Sequence, residues 1–296
     1  MVKLKTAIAF VVITILVGLL VLVLLPVGRE SSLLSFQEAA RDRVKHVRTF
    51  AVYYGMISER EEEILKRFDM VIIQDYAVEG GTVLQRLSGT LKIGYLNLAK
   101  YAGRSYGNCR LTDWQSIAIE YDPDWKLYIM DTRTEAWRKF ILCSADELFK
   151  MGFDGILFDD VDVAEIHAEL KESIAGIIEE LRRRYPDKIL GTNRGFELLG
   201  LVHSYLDFVL AEDLGTMYDF SIGDYRKLTQ SELRQLLHQV NEAKQLGLQV
   251  LALAYSREPC DELDLHARKL AADLGVPIYT SDWQLSELRA PYECQK

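Results

Sequence analysis

GFDGILFDDVD, residues 152–162, places three carboxylates within four residues at the end of an apolar run. The run Phe153–Asp159 has the length and the apolar content of a buried strand. Asp is a poor strand former, and its charge is costly to bury unpaired, so three such side chains at a strand end indicate a functional site. Catalysis, metal binding and recognition of a cationic ligand are all open at this point.

Seven further apolar runs, most of them separated by amphipathic stretches, continue the pattern. The eight predicted strands are Thr49–Tyr54, Asp69–Gln74, Leu91–Asn97, Lys126–Asp131, Phe153–Asp159, Lys188–Asn193, Asp207–Glu212 and Gln249–Tyr255. The predicted helices are Glu59–Arg67, Thr112–Glu120, Glu135–Met151, Val163–Tyr185, Gln230–Leu246 and Asp261–Leu274. A further extended run, Val276–Ser281, is either a ninth strand or the true closing one. Eight βα units predict an α/β fold, a (β/α)8 TIM barrel, and the sequence has no GxGxxG or Walker-type loop.

The N-terminus predicts a membrane anchor ahead of the barrel. Ala7–Val27 is an apolar run long enough to span a bilayer. It lacks a small-residue cleavage site, which favours an uncleaved signal-anchor. Lys3 and Lys5 precede the run, while the charges just after it nearly cancel, so the N-terminus is expected in the cytoplasm and the rest outside.

We therefore expect three parts: a transmembrane signal-anchor (1–28), a linker with an amphipathic helix (29–47) and a (β/α)8 barrel (48–290). The amphipathic helix is expected either to plug the bottom of the barrel or to serve as a stalk. The catalytic domain would then be extracytoplasmic, at the cell surface or in the periplasm.

Charge and cysteine content narrow the class of partner. The formal net charge is −9 and no basic stripe is present, which argues against nucleic acid and favours a cationic partner, although many soluble domains are simply acidic. Four cysteines in an exported chain permit two disulfides. Cys260 with Cys294 is the favoured pair, with free or buried thiols as the alternative, and no CxxC spacing indicates zinc.

Polar residues at the predicted strand ends form a candidate site, because barrel enzymes carry their active sites there. Asp159 and Glu212 end alternate strands and are the predicted catalytic pair, with an ion pair to Arg133 or Arg194 as the structural alternative. The predicted substrate-binding residues are Tyr54, Asp75, Tyr95, Asn97, Asp131, Asp162, Asn193 and Tyr255. Carboxylates with aromatic rings suit a sugar, and the excess of negative charge suits an amino sugar.

The same strand-end residues are also compatible with other roles and other chemistries. Asp160 and Asp213 are expected to cap helices, and Asp162 either to cap a helix or to bind substrate. The cluster Asp159, Asp160 and Asp162 is also compatible with a hard divalent cation. No histidine falls at a predicted strand end and no GxSxG occurs, which argues against a transition-metal hydrolase or a serine nucleophile. No metal and no cofactor are expected.

The chain resembles the glycoside hydrolase family 114-like group of endo-α-1,4-polygalactosaminidase-related TIM barrels over most of residues 48–288. The resembling segments are Phe50–Gly55, Asp69–Asp75, Ile93–Asn97, Gly152–Asp159 with Asp162, Asn193–Gly195 and Ala211–Glu212. The resemblance implies a barrel glycosidase acting on galactosamine-containing polysaccharide, with Asp159 and Glu212 as the catalytic acids. The loop Ala99–Asn108 departs from the short glycine–glutamate turn of the family.

These observations predict a membrane-anchored, extracytoplasmic glycoside hydrolase that cleaves an amino-sugar polysaccharide by two-carboxylate chemistry, with Glu212 as the preferred acid. Its expected partners are the polysaccharide and the membrane. The alternatives are a catalytically inactive barrel that binds cell-surface polysaccharide and a divalent-metal-dependent hydrolase.

Overall fold

The computed structural model describes residues 35–78, 82–291 and 294. The predicted anchor, residues 1–28, and the start of the predicted linker lie outside these ranges. Within them, no helix combines the length and apolar character needed to cross a membrane. The strands are β1 (Phe50–Tyr53), β2 (Met70–Ile73), β3 (Leu91–Asn97), β4 (Lys100–Tyr101), β5 (Ala118–Asp122), β6 (Leu127–Met130), β7 (Gly155–Asp159), β8 (Ile189–Asn193), β9 (Phe208–Ala211), β10 (Thr216–Asp219), β11 (Asp224–Lys227), β12 (Gln249–Tyr255) and β13 (Ile278–Ser281).

Helices surround these strands and account for most of the remaining regular structure. They are α1 (35–45), α2 (Glu59–Leu65), α3 (Val83–Arg86), α4 (Glu135–Met151), α5 (Val163–Ile166), α6 (Lys171–Arg184), α7 (Leu199–Val202), α8 (Gln230–Gln245) and α9 (Glu262–Leu274). Short 3₁₀ turns are found at Asp75–Ala77, Trp114–Ile117, Ala168–Leu170, Phe196–Leu198 and His203–Tyr205.

Eight parallel strands form a nearly closed barrel in the order β1-β2-β3-β7-β8-β9-β12-β13. At the seam, Phe50 of β1 and Tyr279 of β13 bring their ring centroids within 6.2 Å of each other. The barrel strands are buried almost throughout, as expected where helices cover a parallel sheet from outside. The α/β TIM-barrel prediction is confirmed for the described residues, and all eight strands present their carboxyl ends at one mouth.

One predicted barrel strand is wrong. Lys126–Asp131 corresponds to β6, which pairs antiparallel with β4 and β5 in a separate three-stranded sheet beside the barrel. A parallel crossover needs a connection of a dozen or more residues, usually a helix. The predicted helix Thr112–Glu120 instead forms a single 3₁₀ turn followed by β5, so the chain returns as a hairpin. The extended run Val276–Ser281 contains the true closing strand, β13.

Helix α1 plugs the bottom of the barrel, which is one of the two placements that its amphipathic pattern allowed. Its apolar face buries Ala40 and Val44, each at most 1% exposed. The Arg41 guanidinium donates hydrogen bonds of 2.7–3.1 Å to the carbonyls of His203 and Leu206, just before β9. Both carbonyls lie at the amino ends of the strands, so the first described residues lie opposite the mouth.

Two disulfides fasten the loops to the helices. Cys260–Cys294 joins the C-terminal segment to the start of α9, as the sequence favoured. Cys109–Cys143 joins the loop after β4 to α4, a pairing that the sequence did not single out.

Candidate active site

Three consecutive barrel strands carry the centre of the site. Asp159 ends β7, Asn193 ends β8 and Glu212 follows β9. The Asn193 amide Nδ2 donates to Asp159 Oδ1 at 2.9 Å and to Glu212 Oε2 at 2.6 Å. Because both oxygens bind one nitrogen, they cannot be more than the sum of these distances apart, 5.5 Å. The predicted catalytic pair thus meets across the mouth, and Asn193 fixes its spacing.

Glu212 occupies the environment of a carboxylic acid that holds its proton. Burial is the largest cause, followed by the negative charges of Asp213 and Asp159, and together they raise the pKa of Glu212 to about 8. Hydrogen bonds from the Tyr255 hydroxyl to Oε1 and from Asn193 to Oε2 act in the opposite direction. The side chain is therefore protonated at neutral pH and held in place from both sides.

Asp159 is held through one oxygen. Its Oδ1 accepts from Asn193 and also from its neighbour's backbone, the Asp160 N–H, at 2.9 Å. Both bonds use the same oxygen, and Asp159 lines the cavity.

A repeated backbone turn brings two consecutive side chains of each strand end to the mouth. Asp160, Arg194 and Asp213 each follow a strand-end residue and have positive φ values of 56°, 52° and 65°. Successive side chains of an extended strand point to opposite faces, whereas the left-handed turn redirects the chain. As a result, both members of each pair line the same cavity, of about 370 Å³.

Cationic side chains bind the carboxyl groups that follow Asp159 and Glu212 in the chain. Lys100 Nζ lies 2.8 Å from Asp160 and 2.8 Å from Asp122 of β5. Burial and Asp159 raise the pKa of Asp160 to about 8, while Lys100 opposes that shift. Because Lys100 and the Asn97 amide bind its two oxygens, Asp160 serves to position the site rather than to cap a helix.

Arg194, like Lys100, lies close to two carboxyl groups. It lies 3.2 Å from Asp213 and 3.6 Å from Asp162. Burial raises the pKa of Asp213 to about 6, against the effect of Arg194. Asp162 stands at the N-cap position of α5 without a side-chain capping bond, and it lines the cavity. The arginines proposed as structural partners of the catalytic pair thus bind other carboxylates, Arg133 pairing with Asp131.

Most predicted substrate-binding residues reach this cavity. Tyr54, Tyr95, Asp162, Asn193 and Tyr255 line it, and the rings of Tyr54 and Tyr95 pack edge to face at 5.1 Å. Burial and the nearby carboxylates raise the pKa of all three tyrosines well above the usual value, so their hydroxyls stay neutral. Asn97 lies behind this wall, where its amide binds Asp160 and, at 3.3 Å, Tyr95 Oη.

Two predicted residues are placed elsewhere. Asp75 is buried and ion-paired with Arg104, from the loop that the sequence marked as a departure from the family. Asp131 follows β6, outside the barrel, and binds Arg133 at 2.7 Å. Neither residue lines the cavity. Asp75 is held by the Arg104 guanidinium, and Asp131 belongs to a segment that the sequence wrongly assigned to the barrel.

The sequence did not single out several residues of the cavity wall, chiefly Lys100, Trp125, Tyr218 and Phe220, and it considered Arg194 only as an ion-pair partner of the catalytic pair. Lys100 had a usable signal, because it follows β3 closely and is a cation among strand-end acids. The three aromatic residues lie on inserted hairpins. No local sequence pattern predicts that these hairpins are placed over the mouth.

The described residues offer little for a cation site. Next to Asp159, the two oxygens of Asp160 bind the Lys100 ammonium and the Asn97 amide, and Asp162 lies 3.6 Å from Arg194. Cys260, Asp264 and Cys294 have ligand atoms within 4.8 Å of one another, but the two sulfurs form a disulfide and are not available as thiolates.

Comparison with known proteins identifies the family. The model of glycoside-hydrolase family GH114 matches residues 36–290. The chain belongs to glycoside-hydrolase family GH114. This membership confirms the resemblance seen in the sequence and makes the protein a glycosidase by family.

Solved structures share the GH114 fold of this chain. The glycoside hydrolase domain of PelA from Pseudomonas aeruginosa superposes with a TM-score of 0.71 at 23% identity, covering 82% of this chain and 97% of that one. Aspergillus fumigatus Ega3, solved in complex with galactosamine, gives a TM-score of 0.58 at 14% identity, covering 80% and 92%. A Deinococcus radiodurans protein described as uncharacterized is 23% identical over 238 residues, 75% of each chain.

Proposed function

We propose that the protein is a retaining glycoside hydrolase that cleaves an amino-sugar polysaccharide of the galactosamine type, with Asp159 as nucleophile and Glu212 as general acid and base. The observation that carries the proposal is the shared Asn193 amide, which limits the two carboxyl oxygens to a separation of 5.5 Å. Retaining enzymes hold their two carboxyl groups about 5–5.5 Å apart, whereas inverting enzymes need roughly 6.5–9.5 Å to admit a water molecule.

The steps follow from the two environments. Protonated Glu212 gives its proton to the glycosidic oxygen while Asp159 Oδ2 attacks the anomeric carbon, so the C–O bond breaks as a glycosyl ester forms. Glu212, now ionised, takes a proton from water, and that water releases the sugar from Asp159 with the original configuration. Asn193 holds both carboxyl groups in position through the two steps.

The charge of the cavity supports an amino-sugar substrate. Five carboxyl groups and two cationic side chains line it, which leaves an excess of acidic groups. A protonated sugar amine would be attracted to such a cavity, whereas a uronic acid would be repelled. The galactosamine complex of the structural neighbour Ega3 is compatible with this choice.

The direct test is release of reducing ends by the full-length protein from partially deacetylated polygalactosamine and from a matched glucosamine polymer. Release from the first and little from the second is expected. Binding of both polymers without release from either would replace the enzyme with the alternative, a catalytically inactive barrel that binds cell-surface polysaccharide.

We also propose that the barrel is anchored in a membrane and lies outside the cytoplasm. Two disulfides are compatible with an oxidising compartment, and α1 leads into the barrel from the end opposite the mouth. An anchor before α1 would therefore leave the mouth facing away from the bilayer. Recovery of the full-length protein in a carbonate-washed membrane fraction, with the barrel digested by protease added outside the cytoplasm, is the expected result; a carbonate-extractable protein would contradict the anchor.

The pH profile of polymer cleavage should report the raised pKa of Glu212. The acid works only when protonated, so kcat/KM is expected to fall as the pH rises through about 8. Asp213→Asn removes the negative charge that contributes most to raising this pKa, so its alkaline limb should move to lower pH. Asp131→Asn, whose carboxyl group lies outside the cavity, should leave the profile unchanged. An unshifted limb in the Asp213 variant would argue against Glu212 as the titrating acid.

A further inference from the structure

An aromatic cluster lies over the mouth and belongs to no part of the barrel wall. Trp125 lies in the turn between β5 and β6, Phe220 in the turn between β10 and β11, and Trp283 just after β13. The ring centroids lie 5.4 Å apart for Trp125 and Phe220, 5.3 Å for Phe220 and Trp283, and 6.2 Å for Trp125 and Trp283. We refer to Trp125, Phe220 and Trp283 as the aromatic roof.

The topology places the aromatic roof across the opening. The segments that carry it leave the barrel after β3, β9 and β13, the third, sixth and eighth strands in the order around the barrel. Segments that start so far apart on the circumference come into contact by reaching over the mouth. All three rings line the cavity that also holds Asp159 and Glu212.

The roof is fixed in place yet partly open to solvent. Tyr218 stacks on Trp283 at 4.8 Å. Arg226 of β11 binds Asp219 of β10 at 2.7 Å, which braces the hairpin, and Glu232 of α8 at 2.9 Å, which ties the hairpin to that helix. Trp125 nevertheless remains 48% exposed and Phe220 40% exposed. Aromatic surface of this kind, grouped and held rigidly at the edge of a polar cavity, is characteristic of a binding surface rather than of a core.

We propose that the aromatic roof is a sugar-binding subsite, which stacks on a pyranose ring of the polysaccharide away from the bond being cleaved. The proposal rests on the proposed function and extends it, because it assigns to three residues the recognition of polymer length. Ring faces bind the apolar C–H face of a pyranose, while the carboxylates deeper in the cavity act on the reacting sugar. The roof gains contact only when the chain is long enough to reach it.

The consequence is a dependence of cleavage on chain length. With the wild-type protein, kcat/KM should rise along a graded series of galactosamine oligosaccharides and then level off once the roof is occupied. Trp125→Ala and Phe220→Ala should each lower kcat/KM for the long members by about tenfold, the effect of one lost aromatic contact, and leave the shortest cleaved member nearly unchanged.

The β5 strand supplies a matched control. Tyr121 is 46% exposed on the same inserted sheet, packs on Tyr128 and does not line the cavity. Tyr121→Ala should therefore retain the wild-type dependence on chain length. Far-UV circular dichroism and the thermal midpoint of all three variants would establish that each is folded.

The outcomes separate this proposal from the one on which it rests. Suppose that the wild type cleaves the polymer. If the Trp125 and Phe220 variants then lose the same activity on short and long substrates, or lose no activity on either, the roof is not a subsite that recognises chain length. If the wild type releases no reducing ends from any amino-sugar polymer, the proposed function itself fails.

Discussion

Replacement of Glu212 by Gln should lower the cleavage rate of an amino-sugar polymer by about 10²–10⁴-fold or more, because the amide cannot supply a proton to the leaving oxygen. Gln has almost the same shape: its carbonyl oxygen can accept from Asn193 in place of Oε2, and its NH2 group can donate to the Tyr255 hydroxyl oxygen in place of Oε1. The fold and the affinity for the polymer should therefore survive. Reducing-end release measures the first effect, and binding of the polymer to the inactive variant measures the second.

A substrate with a different leaving group provides the decisive control for Glu212. An oligosaccharyl fluoride departs without protonation, so the Glu212→Gln variant should recover much of its first chemical step on that substrate. Equal loss on the fluoride and on the polymer would mean that Glu212 does not act as the acid. Wild-type turnover of the polymer by this variant would remove Glu212 from the mechanism altogether.

Asp159, Asn193 and Glu212 could be predicted because local sequence and fold-level rules agree at those positions. Each stands at the end of a short apolar run, and parallel strands in a barrel end at a single mouth. The distance between the two carboxyl groups could not be predicted. It depends on the Asn193 amide and on strand register, which bring oxygens from β7 and β9 to one nitrogen.

Lys126–Asp131 shows where the same pattern misleads. Leu127–Met130 is apolar enough for a barrel strand, but the preceding segment lacks the helix that a parallel crossover requires, so the strand pairs antiparallel outside the barrel. Asp131 follows this strand, so it too lies outside the barrel and not at the mouth. Asp75 was wrongly predicted to bind substrate for another reason. Its partner Arg104 lies 29 residues further along the chain, in a loop with no strong local signature, so the ion pair could not be foreseen.

The turns after the three site strands were also beyond local reasoning. Arg194 adopts a left-handed backbone conformation that disfavours most side chains, and nothing adjacent to it in the sequence marks this. Its ion pairs with Asp213 and Asp162 help to hold it there. The second layer of the site, including Lys100 with Asp160, thus depends on contacts between segments far apart in the chain.

Replacement of Asp159 by Ala should have the largest effect, a loss of about 10⁴-fold or more on every substrate, because no atom remains to attack the anomeric carbon. Unlike the Glu212 variant, it should gain nothing from a fluoride leaving group. It should also lower the pKa of Glu212, since the Asp159 charge is one of the causes that raise it. Initial rates on the polymer and on the fluoride measure the comparison.

Azide rescue and the stereochemistry of the wild type together distinguish a nucleophile from a base at this position. In Asp159→Ala the removed carboxylate leaves space beside the anomeric carbon, so added azide should restore turnover and give a glycosyl azide of inverted configuration. The wild type should release sugar with its original configuration, seen by NMR at early times. Inversion by the wild type would make Asp159 a base that activates water, and would contradict the retaining mechanism that the shared Asn193 amide supports. The stereochemistry of a single turnover therefore decides between the two mechanisms.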